Sequence, residues 1–261
     1  MPLLELKQIN HFFGGLQAVY NFNLTIEPGE LIGLIGPNGA GKTTIFNLVS
    51  GFYKPTQGDI LFHEKSITHL KPHQVTSLGL ARTFQNIRMW NSMTVLENLC
   101  ISQHYRMGYS FMDAIFSTKT YHEHEKAVVK QAMEILESLE LSEAANEYPK
   151  NLPYGLQRRV EIGRALTIKP SLLLLDEPAA GMNPSDIDRL IELIRWIREQ
   201  FHLTIWLIEH QMKVVMSLCE RLCVLDFGQI IAEGSPSDIK NNPRVIKAYL
   251  GDEEADDNAE N

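Results

Sequence analysis

The fold of this chain is decided by Gly36-Pro37-Asn38-Gly39-Ala40-Gly41-Lys42-Thr43-Thr44. This stretch fits G-x-x-x-x-G-K-S/T, the pattern of a phosphate-binding P-loop. The apolar run Leu31–Ile35 before it predicts a buried strand, and Thr44–Val49 after it predicts the first turns of a helix. A glycine-rich turn in this context lets backbone N–H groups surround a polyphosphate at the positive end of the helix. An ordinary glycine-rich turn is the alternative, which the correctly placed Lys and Thr disfavour.

Two side chains of this loop are predicted to contact phosphates and a metal ion. Lys42 would reach the β and γ phosphates, and the Thr43 hydroxyl would ligate Mg²⁺. The rest of the loop completes the predicted nucleotide contacts: Gly36, Pro37, Asn38, Gly39, Ala40, Gly41 and Thr44.

The second diagnostic stretch is Ser171–Pro178, in which four leucines precede Asp176 and Glu177. Such a run predicts a fully buried parallel strand, and acids at its carboxyl end lie where α/β sheets bind ligands. Asp176 can hold Mg²⁺, and Glu177 can orient or deprotonate the attacking water. A strand that ends in solvated acids is the alternative. Together with the P-loop, the stretch predicts an ATPase.

A further buried strand, Thr204–Ile208, is predicted to end at Glu209 and His210. A lone histidine is usually structural. Because this one follows a strand beside two phosphate motifs, we predict that His210 contacts the γ-phosphate. The predicted catalytic residues are therefore Lys42, Glu177 and His210.

The composition indicates an ordinary globular protein with an acidic end. Of the 261 residues, 44% are hydrophobic and 21% charged, and the net charge is −8. Residues 252–261 contain six acids and no base, so this tail is predicted to be disordered. Without the tail, the net charge of the chain is only −2. The absence of a strongly basic domain disfavours nucleic acid as a partner. No apolar run reaches the length of about 18 residues that a membrane span needs.

The remaining patterns predict an α/β fold, a P-loop NTPase core whose mostly parallel sheet is flanked by helices. Residues 4–26 and 58–63 predict an added antiparallel β layer, and residues 88–165 an inserted helical subdomain, within one domain of residues 1–251. The apolar segment Arg106–Tyr121 is either subdomain core or a docking surface. Three cysteines without a CxxC pair are interpreted as buried thiols.

The chain up to about Gly251 resembles the nucleotide-binding subunit of an ABC transporter. Thr83-Phe84-Gln85 is similar to the Q-loop of that family. The resemblance implies that Gln85 contacts Mg²⁺ and signals to the membrane subunit. His210 matches the switch histidine, and Phe13 matches the aromatic residue that stacks on adenine.

The resemblance also identifies Leu152-Pro153-Tyr154-Gly155 with the signature loop. In the family this loop comes from the opposite subunit of a head-to-tail dimer and caps the γ-phosphate, so these four residues are predicted ATP contacts. Pro153, where the family has Ser, offers neither a hydroxyl nor an N–H, and losing a charge-assisted donor costs about 1.5–3 kcal/mol. The site that receives this loop is expected to be weak. A heterodimer with a second ABC ATPase is favoured, and a homodimer is the alternative.

Within the family, Asp176–Pro184 and the ending Asn241–Gly251 are similar to the ATPases of branched-chain amino-acid uptake. This implies an import ATPase with ATP and Mg²⁺ as cofactors, peripheral at the cytoplasmic face of the inner membrane. Its implied partners are the second ATPase, two transmembrane permeases and, indirectly, a substrate-binding protein. The alternatives are urea or amide uptake, lipopolysaccharide export, a soluble ABC ATPase outside transport, and a regulatory subunit that does not hydrolyse ATP.

Overall fold

Short apolar runs separated by polar turns fold this chain into two β-sheets with helices around them. The computed structural model describes residues 1–104 and 108–249. In this part of the chain the strands are β1 (Leu4–Phe13), β2 (Leu16–Ile26), β3 (Leu31–Ile35), β4 (Gln57–Phe62), β5 (Lys65–Ser66), β6 (Leu80–Arg82), β7 (Leu172–Asp176), β8 (Thr204–Ile208), β9 (Arg221–Asp226) and β10 (Gln229–Gly234). The α-helices are α1 (Lys42–Val49), α2 (Pro72–Ser77), α3 (Val95–Ile101), α4 (Phe111–Ile115), α5 (Lys119–Ser138), α6 (Tyr154–Leu166), α7 (Pro184–Gln200), α8 (Met212–Leu218) and α9 (Pro236–Lys240).

The larger sheet has the strand order β10-β9-β3-β8-β7-β6. All pairs in it are parallel except β9 with β10. Every residue of β3, β7 and β8 is buried, because helices or the second sheet must cover both faces of a parallel sheet. The predicted mostly parallel core is confirmed. As β3, β8 and β7 are neighbours, the loops that follow them meet at one edge of the sheet.

The smaller sheet is antiparallel, with the order β2-β1-β4-β5. Its alternating buried residues, such as Leu4, Leu6 and Phe22, share one core with α1 and with one face of the parallel sheet. This confirms the predicted β layer. Strand β2 begins at Leu16 and pairs with β1 along an irregular hairpin with several register shifts.

Helices α3 to α6 lie in sequence between β6 and β7 and pack on one another. Helix α5 buries an apolar face formed by Val128, Ala132, Ile135 and Leu136, and Leu139 directly after the helix is buried as well. A capping box begins α3, in which the side chains of Thr94 and Glu97 each accept a hydrogen bond from the other residue's backbone N–H. The domain limits stay predictions, and the acidic tail at 252–261 lies outside the described residues.

The segment Arg106–Tyr121 is only partly described, since Arg106 and Met107 fall outside the described ranges. The large apolar side chains on and beside α4 are exposed; they are Phe111, Met112, Ile115 and Phe116. The subdomain-core interpretation is therefore wrong for these four, because α4 turns Asp113 and Ala114 rather than its large residues toward the protein. Its alternative, a docking surface, stays a prediction.

The cysteines are free thiols. Cys219 and Cys223 are buried as predicted, and burial raises the pKa of each to about 12. Cys100 is only partly buried, and burial raises its pKa to about 11. Across the described ranges, none of the helices has the length and apolar character that crossing a lipid bilayer requires.

Candidate functional site

The candidate site lies where β3, β8 and β7 end side by side. The P-loop follows β3, Glu177 follows β7, and His210 follows β8. Ligands of open α/β sheets bind outside the carboxyl ends of the strands. The strand order therefore brings the separately predicted motifs to one edge of the sheet.

Lys42 is the first residue of α1, and its side chain is buried against the loop that precedes it. Its ammonium donates to the carbonyls of Gly36 and Pro37, each at 2.7 Å. Gly41 caps α1 without a side-chain hydrogen bond, so backbone N–H groups of the first turn can bind an anion. This geometry fits a polyphosphate held between the Lys42 charge and the start of the helix.

Gly36 is required by the close approach of β9 to the P-loop. Its φ is 148°, and a Cβ at this position would lie 1.9 Å from the backbone oxygen of Leu225. Backbone oxygens cannot move aside as a flexible side chain can. The P-loop must therefore begin with glycine here.

Gly36→Ala is accordingly expected to lower the free energy of unfolding by about 3 kcal/mol, since overpacking usually costs about 1–3 kcal/mol and this clash is with backbone. We also expect a loss of ATP affinity of about tenfold, because a shifted loop no longer aims its backbone N–H groups at the phosphates. Urea unfolding and titration with a fluorescent ATP analogue measure the two effects. Gly15→Ala is the matched control, because a Cβ there meets nothing within 4 Å. Equal stability of the two variants would contradict the prediction.

Two of the other predicted site residues, Gln85 and His210, converge on Glu177. Its Oε2 accepts a hydrogen bond from the Gln85 side chain at 2.7 Å, and its Oε1 lies 2.7 Å from Nε2 of His210. Its backbone N–H donates to Ile208 on β8. Its φ of 46° is in the left-handed region, a strained conformation that is uncommon for residues other than glycine and that clusters at functional sites. The carboxylate is thus oriented from both sides at the end of β7.

Glu209 connects the ends of β7 and β8. Its buried carboxylate accepts hydrogen bonds from the backbone N–H groups of Ala179, His210 and Gln211. These bonds fix the loop that carries His210 next to the loop after Glu177. The role of Glu209 was not predicted from the sequence. Its position directly after a buried strand could have indicated that its carboxylate has one.

Asp176 forms a buried ion pair that the sequence did not suggest. Its Oδ2 lies 2.7 Å from Nη2 of Arg82, and both side chains are almost fully buried. The other end of the guanidinium donates to Asn47 and Ser50 of the helix α1 region. Burial lowers the pKa of Arg82, and the pair with Asp176 opposes that shift. The sequence feature that could have indicated this pair is Arg82 itself, a single basic residue at the end of the otherwise apolar strand β6.

The residues predicted to hold Mg²⁺ surround this edge of the sheet. Asp176 offers a carboxylate, Thr43 an exposed hydroxyl and Gln85 an amide oxygen. Oxygen ligands of this kind, few in number and combined with phosphate oxygens, suit Mg²⁺. The donor set fits the ion, and the assignment of each ligand stays a prediction.

The four predicted signature residues lie at the start of α6, with Pro153 as its N-cap and Tyr154 as its first residue. Both are exposed, and Pro153 and Gly155 line a hollow with Met182 and Asp186 of the α7 region rather than with the P-loop. Within one chain Pro153 and Gly155 therefore lie beside the α7 region rather than beside the P-loop.

Phe13 ends β1 and is 43% exposed. Its ring packs edge-on against Tyr53, with the centroids 5.3 Å apart. The hairpin that follows Phe13 lies close to the P-loop. A Cβ placed on Gly41 would be only 2.8 Å from the backbone oxygen of Ala18. This location is compatible with a contact to a base, which stays a prediction.

Two protein-family models match parts of this chain. The family model described as ABC transporter matches residues 19–180. A second model, described as branched-chain amino acid ATP-binding cassette transporter, matches residues 229–255.

Two similar relatives are named for the same transport process. The high-affinity branched-chain amino acid transport ATP-binding protein LivG of Escherichia coli is 45% identical over 251 residues, which cover 96% of this chain and 98% of that protein. The protein of the same description named BraF, from Pseudomonas aeruginosa, is 43% identical over an equal length.

Solved structures share the fold. An ATP-binding cassette of an ABC transporter in its ADP conformation matches with a TM-score of 0.84 and 33% identity, covering 96% of this chain and 99% of that one. A dimeric cassette in a post-hydrolysis state, bound to ADP and Pi, matches with a TM-score of 0.74 and 25% identity, covering 89% and 98%.

Proposed function

The chain belongs to the ABC transporter family of ATPases, and on that premise we propose that it powers the import of branched-chain or related amino acids. ATP hydrolysis coupled to transport is the activity of this family. The observation that carries the proposed mechanism is the convergence of Gln85 and His210 on Glu177 beside the P-loop. The substrate class is supported by the 45% identity to LivG and by the match of residues 229–255.

The P-loop binds ATP through its phosphates. Lys42 neutralises the β and γ phosphates, and the start of α1 offers backbone N–H groups to them. Thr43, Asp176 and Gln85 are the proposed Mg²⁺ ligands. When bound, the ion neutralises charge on the phosphate oxygens.

Glu177 is the proposed general base. A water oxygen attacks the γ-phosphorus, the bond to the β–γ bridging oxygen breaks, ADP leaves, and Glu177 takes the proton from the water. In the structure, both carboxylate oxygens are engaged by Gln85 and His210. We propose that the amide of Gln85 and the imidazole of His210 turn to the bound nucleotide, which leaves the Glu177 oxygens to accept the water.

The exposed start of α6 supports the proposed second ATPase subunit. Pro153 and Tyr154 face solvent at a helix N-terminus, which suits a contact across a head-to-tail dimer. Because Pro153 cannot supply a hydroxyl or an N–H, we propose a second, different ABC ATPase as the other subunit. Two permeases and a substrate-binding protein would complete the importer, with the ATPases peripheral at the cytoplasmic face of the inner membrane.

Affinity purification tests this assembly. The tagged chain is recovered from detergent-solubilised membranes, and the proteins that accompany it are identified by mass spectrometry. The proposal predicts two multi-spanning permeases and a second ATPase. Recovery of the chain alone, or with nucleic-acid-processing proteins, would contradict it.

A further inference from the structure

A buried charged pair lies behind Gln85 on helix α6. Arg158 is fully buried and Glu161, one turn later, is almost so. Their ion pair has its nearest atoms 2.5 Å apart. Burial raises the pKa of Glu161, and the neighbouring Arg158 opposes this shift. Removing two charges from water is costly unless further hydrogen bonds satisfy them, so their other partners are informative.

Those partners are the backbone of the loop that carries Gln85. Arg158 donates from Nη1 to the carbonyl of Phe84 at 2.8 Å and from Nη2 to the carbonyl of Gln85 at 2.9 Å. Glu161 accepts from the N–H of Phe84 at 3.3 Å. Two side chains of helix α6 therefore form hydrogen bonds with the backbone N–H of Phe84 and with the backbone carbonyls of Phe84 and Gln85. A planar guanidinium presents its donors in a rigid fork, which fixes direction as well as distance.

The same guanidinium reaches the exposed start of the helix. Nη2 of Arg158 also donates to the hydroxyl of Tyr154 at 3.1 Å, and Tyr154 is the first residue of α6. On the far side, the side chain of Gln85 donates to Glu177 at 2.7 Å. Arg158 thus joins Tyr154 to the backbone carbonyl of Gln85, and the side chain of the same Gln85 continues the connection to Glu177.

We propose that Arg158, oriented by Glu161, is a positioning residue that ties Gln85 to α6, so that a shift of the exposed start of α6 moves Gln85 and releases its side chain from Glu177. This rests on the roles proposed above for Gln85 and Glu177. The partner that contacts the start of α6 would be the second ATPase subunit with ATP bound. Binding of ATP at the site of one subunit would then adjust the catalytic carboxylate of the other.

The test uses the purified transporter with its permeases and measures ATP hydrolysis. Arg158→Gln is expected to lower kcat by about tenfold while KM for ATP stays within about twofold, since small displacements of a catalytic group cost rate rather than binding. Arg159→Gln is the matched control, because this neighbouring arginine contacts Leu139 and Glu140 instead. It should keep kcat within about twofold. Equal kcat for the two variants would overturn the proposal.

A double variant separates positioning from a merely structural role. If Arg158 acts through Gln85, adding Arg158→Gln to Gln85→Ala should lower kcat by less than about twofold further, because coupled residues are not additive. A full further tenfold loss would overturn the inference and leave the role of Gln85 intact. An unchanged kcat in Gln85→Ala alone would overturn both. If Arg158→Gln does not fold, Glu161→Gln, which keeps the volume and removes the charge, takes its place in the same cycle with the same expected outcomes.

Discussion

Glu177→Gln is expected to bind ATP as tightly as the unchanged protein and to lower steady-state hydrolysis by about a thousandfold, within the range for loss of a general base. Glutamine keeps the shape of the side chain at the end of β7 but cannot take a proton from water. One of its two terminal atoms becomes an amide donor, which also disturbs the contacts that Glu177 accepts from Gln85 and His210.

The measurement combines ATP turnover of the purified transporter with retention of labelled ATP after removal of free nucleotide. The variant should retain unhydrolysed ATP, whereas the unchanged protein should release ADP. Glu199→Gln, the same change at an exposed position of α7, controls for the substitution itself. Turnover of Glu177→Gln close to that control would exclude Glu177 as the general base.

Arg82→Met is expected to lower the free energy of unfolding by about 3–5 kcal/mol, the usual cost of removing one partner from a buried ion pair. Methionine fills much of the same volume but leaves the carboxylate of Asp176 without its nearest cation. The hydrogen bonds of Arg82 to Asn47 and Ser50 are lost as well.

Urea unfolding measures this effect as a shift of the midpoint at constant slope. Arg189→Met is the matched control at an exposed arginine of α7, for which a change within about 0.5 kcal/mol is expected. Adding Asp176→Asn to Arg82→Met should restore part of the loss, because the uncompensated charge is then gone. A loss below about 1 kcal/mol for Arg82→Met would show that solvent, rather than Arg82, satisfies Asp176.

The sequence was sufficient to predict the parts of the site whose residues lie next to one another in the chain. A buried strand followed by a functional loop can be predicted from sequence, because the apolar run and the loop residues are neighbours in the chain. The P-loop after Leu31–Ile35 and the acids after Leu172–Leu175 are of this kind. Once these strands are taken as parallel neighbours, the meeting of their loops at one edge follows.

The sequence was not sufficient for partners that are distant in the chain. Arg82 and Asp176 are 94 positions apart, and they meet only because β6 and β7 are adjacent in the sheet. Arg158 lies 73 positions from Gln85, and its burial is hidden in a helix with many charged residues. The exposure of Phe111 could not be deduced from periodicity either, since α4 has too few residues to establish which face turns inward.

The central proposal is that ATP hydrolysis by this chain drives the import of branched-chain amino acids. Its most direct test is the uptake of radiolabelled leucine by cells whose own copy of the chain is replaced by the unchanged protein or by Glu177→Gln. We predict accumulation of leucine with the unchanged protein and none above background with the variant. Equal leucine uptake in both strains, or loss of urea uptake instead, would contradict the proposal.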